Sequence, residues 1–157
     1  MPIATKSDKI DISSEKKIED LANLFLKKLK IGDVIFLHGE MGVGKTTFVK
    51  YLINSLQKMN SLTLTEVTSP TFNLLNEYQI NDVKINHYDL FRIQSFREVK
   101  DLGIFEDYPK VITFIEWPQL IKNKPKNLIE LEFNYENNYQ KRSVKIKGIN
   151  FNLFNEK

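Results

Sequence analysis

Apolar and polar residues alternate along this chain in two rhythms, and each change of rhythm marks a new element. From Ser13 to Lys30 the apolar positions Ile18, Leu21, Ala22, Leu24, Phe25 and Leu29 recur every three or four residues, the spacing of one buried helix face. Ser13 or Ser14 can cap that helix. Glu15 and Asp20 sit early and Lys27, Lys28 and Lys30 late, which complements the helix dipole. Gly32-Asp33 turns the chain into Val34-Ile35-Phe36-Leu37, an unbroken apolar run that predicts a buried strand. Phe48, Val49, Leu52, Ile53 and Leu56 then restore the helical spacing and predict a helix from Lys45 to about Lys58.

The stretch from Asn60 to Val67 is polar and threonine-rich, a loop leading into a short strand. Phe72 to Tyr78 and Val83 to Tyr88 predict two strands of a hairpin joined across Ile80-Asn81-Asp82. In the second, Val83, Ile85 and His87 alternate with Lys84, Asn86 and Tyr88. Phe96 to Leu102 fits a short helix, and Val111 to Ile115 a second interior strand. Near the C-terminus Leu131, Phe133 and Tyr135 alternate with Glu130, Glu132 and Asn134, and Val144 and Ile146 with Lys145 and Lys147. With Asn137-Asn138 between them, these form an antiparallel hairpin at one sheet edge, its charges discouraging aggregation. The expected fold is an α/β sandwich with a mixed sheet.

Composition narrows this only a little. At 157 residues, 41% hydrophobic and 27% charged, the chain has the make-up of one globular domain spanning residues 1–157. The absence of cysteine excludes disulfides, thiolate metal sites and cysteine nucleophiles. Met1 to Asp8 lacks the apolar core of a signal peptide and no run reaches membrane-spanning length, so the cytoplasm is the expected compartment. The net charge of +3 comes mainly from scattered lysines, with only Arg92, Arg97 and Arg142 as arginines, and favours a solvated surface over a nucleic-acid footprint.

The chemistry sits between the first strand and the second helix. Gly39-Glu40-Met41-Gly42-Val43-Gly44-Lys45-Thr46-Thr47 matches the phosphate loop G-x-x-x-x-G-K-[ST], flanked by strand and helix in the required order. Its glycines let backbone N–H groups turn towards a phosphate, and the following helix presents its positive end. Lys45 can reach the β- and γ-phosphates, and the Thr46 hydroxyl can ligate Mg²⁺. Nothing in such a loop reads the base.

A phosphate loop works with a carboxylate at the end of a neighbouring strand. Glu116 follows the apolar Val111 to Ile115 and is the better candidate for the metal; otherwise it is a surface acid. Asp89 follows Val83 to Tyr88 and can orient water, or merely cap the turn at Leu90-Phe91-Arg92. His87 is either packed and hydrogen-bonded or catalytic. Trp117 is read as core or rim packing, and Arg92 as an ion-pair partner of Asp89 or a phosphate contact. Ser69-Pro70-Thr71-Phe72 is either a rigid turn or a switch whose hydroxyls sense the γ-phosphate.

Taken in order, the phosphate loop, Ser69-Pro70-Thr71-Phe72, Asn76-Glu77-Tyr78, His87-Tyr88-Asp89-Leu90-Phe91-Arg92 and Ile115-Glu116-Trp117-Pro118 closely resemble the TsaE (YjeE) family over about residues 13 to 120. Phe91 departs from the tyrosine usual there. The resemblance implies a P-loop NTPase-like three-layer sandwich, its mixed sheet mainly parallel with an antiparallel C-terminal hairpin. It also implies a weak, partner-dependent ATPase of tRNA threonylcarbamoyladenosine modification that acts with the TsaD and TsaB proteins and does not transfer the group itself. On that pattern residues 39–47 bind ATP, Thr46 and Glu116 hold Mg²⁺, Asp89 supports hydrolysis with Lys45, and Ser69 to Phe72 is the switch. The C-terminal hairpin carries little of this signature; a basic residue there, Lys141 or Arg142, is a further candidate to approach the nucleotide. The alternatives are a small-molecule kinase, disfavoured by the unclustered arginines, and a nucleotide-gated binding module without turnover.

Overall fold

The computed structural model describes residues 9–148, so the Met1 to Asp8 segment, read above as lacking a signal-peptide core, lies outside the described residues. Seven strands form one sheet in the order β1-β7-β6-β2-β5-β4-β3. The strands are β1 (Lys9–Asp11), β2 (Val34–His38), β3 (Leu75–Ile80), β4 (Val83–Asp89), β5 (Ile112–Glu116), β6 (Leu128–Glu136) and β7 (Lys141–Gly148). The central run β6-β2-β5-β4 is parallel, and the outer pairings β1-β7, β7-β6 and β4-β3 are antiparallel. No helix among the described residues is long and apolar enough to cross a membrane.

Strand β2 lies at the middle of the sheet, which explains its unbroken apolar sequence. Ile35 and Leu37 enter a core beneath the helices α1 (Glu15–Leu26) and α2 (Lys45–Met59). Val34 and Phe36 enter a second, smaller core on the opposite face, with Val99 of the short helix α3 (Phe96–Asp101) and Ile104. Phe48 of α2 joins the first core together, its ring edge-on to Phe25, Phe114 and Phe133 at centroid distances of 5.3, 6.4 and 6.2 Å.

Several expectations change at the element ends. The first helix starts after Ser14, whose hydroxyl accepts from the Lys17 N–H, and stops at Leu26, so Lys27, Lys28 and Lys30 lie beyond it. The chain has to turn back towards β2 there: Asp33 takes the Lys30 N–H at 2.8 Å and Gly32 adopts φ +100°. No strand forms between Asn60 and Val67. The strand expected from Phe72 begins at Leu75, because residues 70–74 close a turn in which the Leu74 N–H bonds to the Pro70 carbonyl with Leu74 at φ +68°. The C-terminal hairpin is antiparallel as expected but not at the edge, since β6 pairs with β2 and β7 carries the short β1 on its outer side. Its charges pair across the strands, with Lys147 Nζ 2.9 Å from Glu132 Oε1.

Candidate functional site

The loop between β2 and α2 is shaped by what stands against it. At Gly39, φ is +148° and a Cβ would come within 2.8 Å of the Phe133 carbonyl oxygen and 2.9 Å of Val43 Cγ1, so only glycine fits. Gly44 is the N-cap of α2 at φ +119° with no side-chain cap, which leaves the first N–H groups of α2 for an anion. Arg142 flanks this end. Its backbone N–H bonds to Ser13 Oγ at 3.0 Å and its guanidinium lies 3.7 Å from where a Gly44 Cβ would be.

Strand register delivers the acids. Asp89 and Glu116 are the last residues of β4 and β5, opposite one another, and Glu116 also stands opposite Leu37 of β2. Both acids share the parity of Ile85 and Phe114, so they face α2. The Glu116 carboxylate is almost fully buried, and two donors meet on its Oε2: the Thr46 hydroxyl at 2.9 Å and His87 Nε2 at 2.6 Å. Asp89 Oδ2 accepts from the Ser69 and Thr71 hydroxyls at 2.8 Å each, and Oδ1 accepts from the Phe91 N–H at 2.9 Å. Asp89 therefore does cap the turn that follows it, while its other oxygen holds the Ser69–Thr71 segment.

Lys45 is buried. Its ammonium donates to the Gly39 carbonyl and lies 3.8 Å from the centroid of the Trp117 ring. Burial pushes the Lys45 ammonium below its usual pKa, partly offset by Glu116 and Asp89. Trp117 reaches this position from a left-handed backbone, φ +57°, directly after β5 and before a 3₁₀ turn over Pro118–Leu120. Its ring also packs on Phe91 at 4.9 Å.

A cleft of about 230 Å³ opens between these groups, lined among others by Lys45, Thr46, Ser69, Asp89, Glu116 and Trp117. Gly42, Gly44, Thr47 and the exposed Met41 complete the loop's side of it. Val43 is instead buried in the core, and Gly39 and Glu40 border a separate hollow beside Tyr135 and Tyr139. Arg92 lies over the Phe72 ring at 5.2 Å, whereas an ion pair with Asp89 or a phosphate contact was expected. Sequence reading left two features unrecognised: Trp117 covering Lys45, and the His87–Glu116 pair. Strand parity was the available signal for the second, since His87 and Asp89 share a face.

The residues present suit a magnesium–nucleotide site. The Thr46 hydroxyl hydrogen is directed to Glu116, which leaves its oxygen lone pairs for a cation. No group of three or more His, Cys, Asp or Glu side chains among the described residues could hold a metal alone.

A family model described as "Threonylcarbamoyl adenosine biosynthesis protein TsaE" matches residues 12–144. The tRNA threonylcarbamoyladenosine biosynthesis protein TsaE of Rickettsia typhi is 38% identical over 141 residues, covering 89% of this chain and 94% of its own. That of Aquifex aeolicus is 38% identical over 136 residues, covering 86% and 92%. The crystal structure of Bacillus subtilus YdiB has the same fold, with a TM-score of 0.67 over 94% of this chain and 87% of its own at 21% identity.

Proposed function

The chain belongs to the TsaE family, and we propose that it is the Mg²⁺-dependent ATP-binding and ATP-hydrolysing component of the tRNA threonylcarbamoyladenosine machinery, acting on the TsaD–TsaB complex and not transferring the group itself. One observation carries the reading. A phosphate loop, a hydroxyl–carboxylate pair and a second carboxylate tied to a hydroxyl-bearing loop all open on one cleft.

In this reading the amides of residues 42–47 and the end of α2 cradle the phosphates, and Lys45 leaves the Gly39 carbonyl to reach them. Thr46 and Glu116 hold Mg²⁺, which when bound neutralises charge on the β- and γ-phosphates. Asp89 orients the attacking water. Ser69 and Thr71 give up Asp89 when a γ-phosphate offers them a better acceptor, so the loop reports the nucleotide state. Arg142, beside Gly44, lies near the nucleotide. The exposed apolar side chains Met41 and Phe91, with 64% and 47% of their surface open, line the cleft, and Phe72, 82% open, follows the cleft-lining Thr71; together they suit a docking protein partner. In this reading hydrolysis by the chain alone is slow and depends on the partner complex.

The test is reconstitution of tRNA modification with the partner proteins, ATP and this chain, its Lys45→Ala form or its Asp89→Asn form. Modification is expected to require the chain and to fail with either variant. Equal modification without the chain sinks the proposal. Should Asp89→Asn stop hydrolysis yet leave modification intact, the chain is a nucleotide-gated binding module.

A further inference from the structure

His87 lies behind the cleft-lining Glu116 with no exposed surface, and the reading above gives it no task. We propose that His87 is a positioning residue for the metal-binding carboxylate: it anchors one oxygen of Glu116 so that the other stays open to a divalent cation. This inference rests on the magnesium–nucleotide reading of the cleft.

The geometry supports it in three ways. First, Nε2 meets Glu116 Oε2 at 2.6 Å, as close as the shortest charge-assisted N–H···O contacts. A carboxylate can only accept, so a ring hydrogen sits on Nε2 and points at Glu116, while the buried Nδ1 finds no partner among the described residues. An apolar side chain would fill the same space without leaving a buried ring nitrogen unpaired, so packing alone does not account for a histidine here. Second, both donors to Glu116, His87 and Thr46, converge on the same oxygen, Oε2. Oε1 is thereby left for a ligand in the cleft that Glu116 lines. Third, β4 and β5 fix the ring and the carboxylate independently: His87 stands opposite Phe114 and Glu116 opposite Asp89. The bond therefore links two rigid strands and holds the carboxylate rotamer before any ligand arrives. Loss of such a support behind a metal ligand typically weakens metal binding about 10–100-fold.

Calorimetry measures the factor by which Mg²⁺ strengthens ADP binding, in the wild type, His87→Leu and His87→Gln. His87→Leu is expected to bind metal-free ADP as the wild type does and to lose about 10-fold or more of the Mg²⁺-dependent gain. His87→Gln, which keeps an N–H donor, is expected to recover most of it. A full gain in His87→Leu, or a glutamine variant as impaired as the leucine one, overturns the proposal. A wild type without any Mg²⁺-dependent gain refutes instead the metal reading beneath it. Nitrogen-15 NMR of the wild-type ring covers the case in which His87→Leu does not fold. The Nε2–H signal is expected to shift when Mg²⁺ is added to the ADP complex, and an unmoved signal counts against the proposal.

Discussion

Replacing Lys45 by Met separates what this lysine does for the fold from what it does for the ligand. Lys45 is 4% exposed, and its ammonium's neighbours are a carbonyl, the Trp117 ring and two carboxylates beyond direct contact, with burial as the larger influence on its charge. Methionine fills the channel of the lysine stem without a charge to desolvate. The ligand-free variant is therefore expected to melt within about 2 °C of the wild type or above it. The sign against pH follows from the lowered pKa. The unfolded chain holds this proton more tightly, so the cost of the charge is full below the folded pKa and vanishes as pH rises towards 10.5. Any advantage of Met is thus expected at neutral pH and to fade in alkali. For the ligand the effect reverses. A charge-assisted contact to phosphate is worth about 1.5–3 kcal/mol, so affinity falls about 100-fold. With Mg-ATP at about 100 times its dissociation constant the wild type gains about 2.7 kcal/mol, or about 5–10 °C; the variant at the same concentration gains about 0.4 kcal/mol, or about 1 °C. Differential scanning fluorimetry reads both. An equal nucleotide shift in the two proteins, or a ligand-free variant destabilised by several degrees, refutes the reasoning.

Phe48→Ala removes the fully buried ring that touches Phe25, Phe114 and Phe133, and is expected to cost about 3–5 kcal/mol in urea unfolding. A loss under about 1.5 kcal/mol would mean that the ring is not the joint between α2 and the sheet. Asp11 is held down to a pKa of about 2, first by the Lys17 ammonium at 2.6 Å and then by Ser13. A depressed acid stabilises above its unfolded value of 3.8 and loses that contribution as pH falls through about 2. The side chain is about half exposed, so screening limits the effect to about 1 kcal/mol or less. Asp11→Asn is expected to lower stability by that amount at neutral pH in low salt, with the gap closing between pH 3.8 and about 2; a gap that persists in acid contradicts the assignment.

What was legible in the sequence tracks how local its cause is. Strand β2 and helix α2 follow from an apolar run and a helical period, and the phosphate loop between them is contiguous, so each could be read from neighbouring residues. The ends of β4 and β5 were nearly as clear, although Asp89 and Glu116 proved to be the last strand residues and not the first beyond. Strand β1 was missed because three residues with one buried side chain, Ile10, carry no period. Phe72 looked like strand because it is aromatic, yet the turn beside it depends on Leu74 at positive φ, which no propensity signals for a bulky residue. The first helix was drawn too long because lysines after Leu26 suit a helix end equally well; the return to β2 decides the matter. Trp117 over Lys45 depends on one left-handed residue, and the His87–Glu116 bond on the register of strands 29 positions apart.

The cleft follows from the same alternation that builds the core. Ile85, His87 and Asp89 share one face of β4, and Ile112, Phe114 and Glu116 share one face of β5; the apolar members lie under α2. Continuing each alternation to the strand end places polar groups at the start of α2, where the phosphate loop already sits. Because β2, β5 and β4 run parallel, these strand ends meet at one end of the sheet; an antiparallel β5 would send Glu116 to the opposite end. The result is unbalanced: two buried carboxylates face one buried ammonium, and the only other cation described near the loop, Arg142, flanks it at Gly44. A triphosphate adds negative charge to that deficit, and the partial positive charge at the end of α2, about half a unit, is too small to offset it. On the proposed function, tight ATP binding is therefore expected to need a divalent cation, which Thr46 and Glu116 would hold, and metal-free affinity is expected to fall much further for ATP than for a ligand with fewer charges.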